Sequence, residues 1–218
     1  MRIRFAAALA AAAVLGMSLT GCGKLGQNYT DYIKSVMDLR YKDDPAKYVE
    51  LTYSNELEAR EIYDIQLEYM TETVCTYNGV EMDYVSDDLL AEYEAIAETL
   101  LSKTSYNVLP ATYSNGTFQV TIEIQPLDFW EITEEEMQDY CDTMYNVEKK
   151  LVRTDAELDA LETKYAEGTL EILQSHISEV GYLDTVTKTV TIVEDADGTY
   201  GLSDQDWYDI DDLVLGLG

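Results

Sequence analysis

Apolar residues recur every three or four positions through most of the chain, which is the spacing of helices with one buried face. In the first of these helices, Tyr29, Tyr32, Ile33, Val36 and Met37 share a face. The predicted helices begin near Tyr29, Pro45, Asn55, Asp87, Thr133, Asp155 and Ser203. The longest of them cover about residues 55–77, 87–103 and 155–180.

Several helix starts carry their own signals. Asn55, Thr133 and Thr154 each precede a glutamate by three positions, the spacing of a capping box, in which both side chains satisfy backbone N–H groups of the first turn. Asp44-Pro45 offers an N-cap followed by a proline, whose missing N–H costs nothing at the first helical position.

Two stretches change to the alternating pattern of strands. Residues 117–126 alternate apolar and polar positions, and Asn115-Gly116 before them suits a tight hairpin turn, so residues 105–113 are predicted as the partner strand. Residues 186–192 alternate likewise, and Asp197-Gly198 supplies a second turn before a returning strand. The predicted fold class is α+β: a helix-rich domain with two antiparallel β-hairpins, which can form one four-stranded sheet, packed against long helices.

The order helix, helix, hairpin occurs twice, and each copy ends in the same residue pattern. Residues 128–132 and 206–210 both have the order acid, aromatic, aromatic, acid, Ile, and they lie 78 positions apart. This offset supports the hypothesis of an internal duplication with pseudo-repeats at 55–132 and 133–210.

The N-terminal segment has the order of a bacterial export signal. Arg2 and Arg4 precede an apolar run of thirteen residues, which is too short to span a bilayer as a helix, since about 20 residues are needed. Leu19-Thr20-Gly21-Cys22 then resembles the lipobox, where a signal peptide is cut and the new N-terminal cysteine receives a diacylglycerol.

Processing at Cys22 divides the chain into three parts. They are a signal peptide at 1–21, the lipidated cysteine with a short tether at 22–28, and a single extracytoplasmic α+β domain at 29–218. Two acyl chains hold a protein on a membrane stably, whereas one holds it only marginally. The expected localisation is the extracytoplasmic face of the cell membrane, with the membrane as a partner through the lipid.

Charge narrows the classes of partner. The chain has 43 acidic and 14 basic side chains, and without residues 1–21 the remaining 12 basic side chains leave a net charge of −31. Nucleic acid is bound through clusters of Lys and Arg, so this charge excludes nucleic acid as a partner.

Cysteine and histidine suggest little chemistry. Cys75 and Cys141 lie in predicted helices and outside any metal-type C-x-x-C spacing, so free thiols are predicted, with a disulfide as the alternative that an oxidising compartment allows. His176 lies near the apolar stripe of its helix, where a hydrogen-bonded boundary residue is expected. The chain has neither G-x-S-x-G nor S-x-x-K, and we predict no catalytic residue.

The acidic residues support only weak hypotheses about sites. In a chain with 43 acids, some pair at glycosidase separation is expected by chance, so paired-carboxylate glycan hydrolysis stays an alternative function. Asp195 and Asp197-Gly198 resemble part of a calcium loop, but Val193 stands where an acidic ligand is needed. We therefore predict a turn, no metal site and no cofactor beyond the lipid on Cys22, with weak surface binding of calcium as the alternative.

Aromatic residues are the candidate ligand-binding residues. The chain has 18 Tyr and 3 Phe, and many of the tyrosines lie on helical stripes that predict burial. Trp130 and Trp207, with their neighbours Phe129 and Tyr208, could form a platform for a sugar or a peptide, and packing in the core is the alternative.

Three segments resemble a group of uncharacterised lipoproteins from Gram-positive anaerobes of the clostridial type. These segments are 38–42, with the residues Asp-Leu-Arg-Tyr-Lys, then 120–128, and the lipobox. Residues 197–202 also resemble the last hairpin of cystatin-like and nuclear transport factor 2-like folds, which place more strands consecutively. Neither resemblance supplies a catalytic residue. The sequence as a whole predicts a non-catalytic binding or assembly component that recognises a protein, a peptide or a glycan.

Overall fold

The computed structural model describes residues 22–194 and 200–217 and has a helix-rich α+β fold, as predicted. Its helices are α1 Cys22–Lys42, α2 Ala46–Thr52, α3 Glu56–Tyr77, α4 Asp87–Lys103, α5 Phe129–Thr143, α6 Asp155–His176 and α7 Asp204–Leu215. Its strands are β1 Ser105–Val108, β2 Thr112–Ser114, β3 Thr117–Gln125, β4 Val186–Thr191, β5 Val193–Glu194 and β6 Tyr200–Gly201. Short 3₁₀ turns lie at Met82–Tyr84 and Lys149–Leu151, and a π turn lies at Met144–Glu148.

The chain divides into two compact units. Within the described residues, unit 1 consists of 22–66, Thr104–Pro126, 184–194 and 200–217, and unit 2 consists of Leu67–Lys103 and Leu127–Leu183. The strands lie in unit 1, whereas unit 2 is built mainly from helices. Each hypothesised pseudo-repeat contributes residues to both units, and the duplication stays a hypothesis.

Local signals predicted most helix starts correctly. The side chain of Asn55 accepts hydrogen bonds from two N–H groups in the first turn of α3, at 3.0 and 3.1 Å, and Thr154 forms the predicted capping box with Glu157. The capping box predicted at Thr133 is wrong. Helix α5 begins four residues earlier at Phe129, and the buried Thr133 hydroxyl donates to the Phe129 carbonyl inside the helix.

The central strand of unit 1 is β3. Strands β1 and β2 pair antiparallel with its C-terminal and N-terminal parts, and β4 also pairs antiparallel with β3. In the turn between β2 and β3, Asn115 and Gly116 have φ angles of 52° and 89°. Asparagine and glycine tolerate this left-handed region best, so the first predicted hairpin is confirmed together with its turn residues.

The second predicted hairpin is confirmed in part. Strand β4 pairs with β3 of the first hairpin, so β1, β2, β3 and β4 form one four-stranded sheet. The predicted returning strand corresponds to β6, which pairs antiparallel with the short strand β5. The predicted turn at Asp197-Gly198 lies outside the described residues.

The start of the chain differs from the predicted tether, because residues 22–28 belong to α1. The Thr30 hydroxyl donates to the Gly26 carbonyl at 3.0 Å and accepts from the Ala111 N–H at 2.7 Å. A Cβ atom on Gly26 would lie 3.2 Å from the Ala111 carbonyl oxygen, so glycine allows the helix to approach the backbone of the hairpin closely. Helix α1 therefore packs against the loop between β1 and β2 from Gly26 onward.

Each unit has its own core. In unit 1 the buried faces of β3, α1 and α7 supply Val120, Ile122, Ile124, Ile33, Met37, Leu39, Ile210 and Val214. In unit 2 the predicted core tyrosines are buried and hydrogen-bonded, since Tyr93 donates to the Ala166 carbonyl at 2.6 Å and Tyr165 donates to the Asn78 carbonyl at 2.7 Å. Among the described residues, no helix has the length and apolarity needed to cross a bilayer.

Candidate functional site

Phe129 and Trp130 are the first two residues of α5, and both side chains are buried in unit 2. The Trp130 ring centroid lies 4.4 Å from the centroid of Tyr77 and 5.1 Å from that of Phe129. A ligand that stacks on a ring needs an open face of that ring. Their burial therefore favours the packing role for both residues.

Trp207 and Tyr208 lie in the first turns of α7 in unit 1, just after the N-cap Ser203. Trp207 is half-buried, and the guanidinium carbon of Arg40 lies 4.8 Å from its ring centroid. Tyr208 is exposed. The two predicted tryptophans thus belong to different units, and Tyr208 is the most accessible of the four candidate aromatic residues.

The segment Asp-Leu-Arg-Tyr-Lys at 38–42 forms the end of α1 and a buried polar network. Arg40 Nη2 lies 2.8 Å from Asp211 Oδ2, and the Tyr41 hydroxyl donates to Asp211 Oδ1 at 2.5 Å. The side-chain amide of Gln66 donates to the same oxygen at 3.1 Å. The side chains of Arg40 and Asp211 are only 5% and 2% exposed. The network therefore joins α1, α3 and α7 inside unit 1.

The electrostatics of this network follow from burial and pairing. Burial is the largest single effect on Arg40 and would lower its pKa, but the combined effects of Asp211 and Tyr41 outweigh burial, and the pKa of Arg40 is raised. Burial raises the pKa of Asp211, although Arg40, Tyr41 and Gln66 all favour its carboxylate form. A carboxyl group with a raised pKa is expected of a general acid, but both Asp211 oxygens already accept hydrogen bonds from the protein and the group is sealed from solvent. The network is built for structure.

His176 is a hydrogen-bonded boundary residue, as predicted. Its Nε2 atom lies 2.9 Å from Glu136 Oε2, and its Nδ1 atom lies 3.5 Å from Glu179 Oε2. The hydrogen bond with Glu136 raises the pKa of His176, against a smaller opposing effect of burial.

Neither the cysteines nor the acidic residues that the structure describes form a reactive or metal-binding site. Cys75 and Cys141 are free, so the predicted thiols are confirmed, and burial raises the pKa of Cys75 to about 12. A thiol with so high a pKa is a weak nucleophile. In the part of the chain that the structure describes, no group of three or more His, Cys, Asp or Glu side chains could hold a metal ion. Asp195 and Asp197 of the partial calcium loop lie outside that part.

Residues 147–153 form the most distinctive surface of unit 2, and the prediction missed them. Lys149, Lys150 and Arg153 are exposed, and no other five-residue window of the chain holds three basic residues. Between them, Val147 is 58% exposed and Leu151 is 69% exposed. We call these five side chains the 147–153 corner. The density of Lys and Arg in so acidic a chain was the signal that could have found it.

Two of the basic residues of the 147–153 corner make contacts that fix their positions. Lys149 Nζ lies 4.5 Å from the ring centroid of Tyr145 and 3.5 Å from Glu162 Oε1. Arg153 Nη1 donates to the carbonyls of Lys150 and Val152 at 2.6 and 2.7 Å. The irregular π and 3₁₀ turns that follow α5 leave Val147 and Leu151 outside the core. The exposed Val147 and Leu151 beside three basic side chains make the 147–153 corner the candidate binding surface of unit 2.

No protein-family model matches the chain, and no curated protein matches it. The crystal structure of ycdA, a candidate lipoprotein from Bacillus subtilis, is similar with a TM-score of 0.54 and 16% sequence identity. The match covers 85% of this chain and 55% of the Bacillus chain, so this chain spans about half the length of that structure. The likeness is one of fold.

Proposed function

We propose that this protein is a lipoprotein, anchored through Cys22 on the extracytoplasmic face of the membrane, that binds an acidic segment of a partner protein or peptide without catalysis. The observation that carries the binding role is the exposure of Val147 and Leu151 among three basic side chains. The lipobox supports the anchor, and the fold shared with a candidate Bacillus lipoprotein agrees with it.

The distribution of charge on the protein surface favours an acidic partner at the 147–153 corner. With 43 acidic side chains against 14 basic ones, most of the protein surface repels an acidic partner. The 147–153 corner is the local exception, so it can fix the register of an acidic segment by attraction while the surrounding surface disfavours other placements. Aliphatic groups on the partner would bury Val147 and Leu151, which gives affinity in addition to steering.

The test uses residues 23–218 and a fluorescently labelled peptide that alternates Glu and Leu, with peptides carrying Lys or Gln in place of Glu as references. We expect the Glu peptide to bind best and its affinity to fall as salt rises, because screening weakens the ionic contribution. Leu151→Ser and Lys150→Glu should each weaken binding. Leu57→Ser is the matched control, since Leu57 is also 69% exposed but lies beside Glu56 and Glu58.

Several results would contradict the proposal. Equal losses in Leu57→Ser and Leu151→Ser would show unspecific hydrophobic contact, and a preference for the Lys peptide would place the site on the acidic surface. If the protein binds oligosaccharides and Tyr208→Ala abolishes that binding, the binding site lies on α7 and the ligand is a glycan. Concentration-dependent dimers that Lys150→Glu abolishes would instead support the proposal and identify the acidic partner as a second copy of this chain.

A further inference from the structure

A long uncharged stretch of sequence stands out in this highly charged chain. Residues 104–122 contain no Asp, Glu, Lys or Arg, whereas 26% of the residues in the whole chain are charged. The stretch contains β1, β2 and the turn into β3, all in unit 1. Unit 1 therefore contains a hairpin in which β1, β2 and the turn into β3 are without charge.

This hairpin lies against the start of α1. The Ala111 N–H donates to the Thr30 hydroxyl at 2.7 Å, and Gly26 approaches the Ala111 carbonyl oxygen so closely that an added Cβ would lie 3.2 Å from it. Gly26 follows Cys22 by four residues of helix, which is about 6 Å along the axis. The loop between β1 and β2 therefore contacts α1 about one helical turn from Cys22, the residue predicted to carry the lipid.

Aromatic rings connect α1 to the exposed face of the hairpin. The ring centroid of Tyr29 lies 4.9 Å from that of Phe118, and Phe118 lies 5.0 Å from Tyr113. Tyr113 is 61% exposed, and Thr112, Asn115 and Thr117 around it are exposed and uncharged. Tyrosine is enriched at the head-group level of membranes, where one end of its side chain can be apolar and the other wet.

We propose that the uncharged hairpin is the surface with which unit 1 rests on the bilayer, with Tyr113 in the head-group region. This orientation rests on the proposed anchor at Cys22. Anionic head groups repel carboxylates, so the acidic faces of unit 1 turn away from the membrane and the uncharged hairpin beside the anchor approaches it. The lipid sets the distance, and the charge pattern sets the orientation.

The experiment uses the lipidated chain in vesicles of neutral and anionic phospholipids, with Cys141→Ser as background. A nitroxide label is placed at Thr112→Cys on the hairpin or, as a control, at Gln205→Cys on α7; both positions are exposed in unit 1. We expect collisions with a water-soluble relaxation agent to be several-fold fewer at 112 than at 205. Tyr113→Glu should raise the collision rate at 112 toward the rate at 205, whereas Lys150→Glu should leave the collision rate at 112 unchanged.

The anchor and the orientation fail in different ways. Protein that does not remain with the vesicles would refute lipid anchoring itself. Protein that remains bound, with equal collision rates at 112 and 205, would overturn the orientation and leave the anchor intact. Urea unfolding of each labelled variant verifies that the hairpin remains folded.

Discussion

Replacing Asp211 by Asn tests the buried network at the end of α1. Asn keeps the size of the side chain and an oxygen that can accept from Tyr41 and Gln66, but it removes the charge opposite Arg40. Because the Arg40 side chain is only 5% exposed, its charge would be left buried without a counterion. Breaking a buried pair in this way costs about 3–5 kcal/mol, a large part of the 5–15 kcal/mol typical of a domain.

The assay is urea unfolding at neutral pH, followed by circular dichroism and by tryptophan fluorescence, to which Trp130 contributes together with Trp207, whose ring centroid lies 4.8 Å from the Arg40 guanidinium carbon. The double variant Arg40→Met/Asp211→Leu is the control, since replacing both charges with apolar groups is often neutral or stabilising. We expect Asp211→Asn to be much less stable than this double variant. If Asp211→Asn lowers the free energy of unfolding by less than about 1 kcal/mol relative to the wild type, the size of one ordinary hydrogen bond, the role given to the ion pair is refuted.

Three further predictions concern unit 2. A Cβ on Gly168 would lie 2.2 Å from the Tyr140 hydroxyl oxygen. Gly168→Ala should therefore lower the melting temperature in the wild-type chain but raise it in a Tyr140→Ala background, where only the helix propensity gain of about 1 kcal/mol remains; equal effects would contradict the clash. Thr154→Ala removes the capping box of α6 and should cost about 1 kcal/mol in urea unfolding, with an unchanged midpoint as the contrary result. The pKa of His176 is raised, so its bond with Glu136 stabilises the fold fully below the ordinary histidine pKa, and this contribution is lost as pH rises through the raised value. Glu136→Gln should flatten that part of the pH profile of stability, and a profile identical to that of the wild type would contradict the assignment.

The features that could be predicted are those determined by neighbours in sequence. The caps at Asn55 and Thr154 act within three residues, and the left-handed turn at Asn115-Gly116 is a local preference, so each followed from the sequence. The error at Thr133 is of the same local kind. Its spacing to Glu136 matched a cap, but the core takes up Phe129 and Trp130 and so moves the start of α5 upstream.

The features that escaped prediction depend on distant residues or on burial. Asp211 lies 171 residues from its partner Arg40, and no pattern along the chain joins them. The sequence left open whether the two hairpins share one sheet, and only the structure shows that β4 pairs with β3 of the first hairpin. Val147 and Leu151 were missed for the opposite reason, because apolar side chains suggest a core and only the structure shows that these two are exposed.

Intact-mass spectrometry of the membrane-bound protein examines the lipid anchor itself. We expect a chain that begins at Cys22 and carries a diacylglycerol, and we expect Cys22→Ala to release the protein from the membrane fraction. A membrane-bound chain that keeps residues 1–21, or a Cys22→Ala variant that stays on the membrane, would refute anchoring through Cys22.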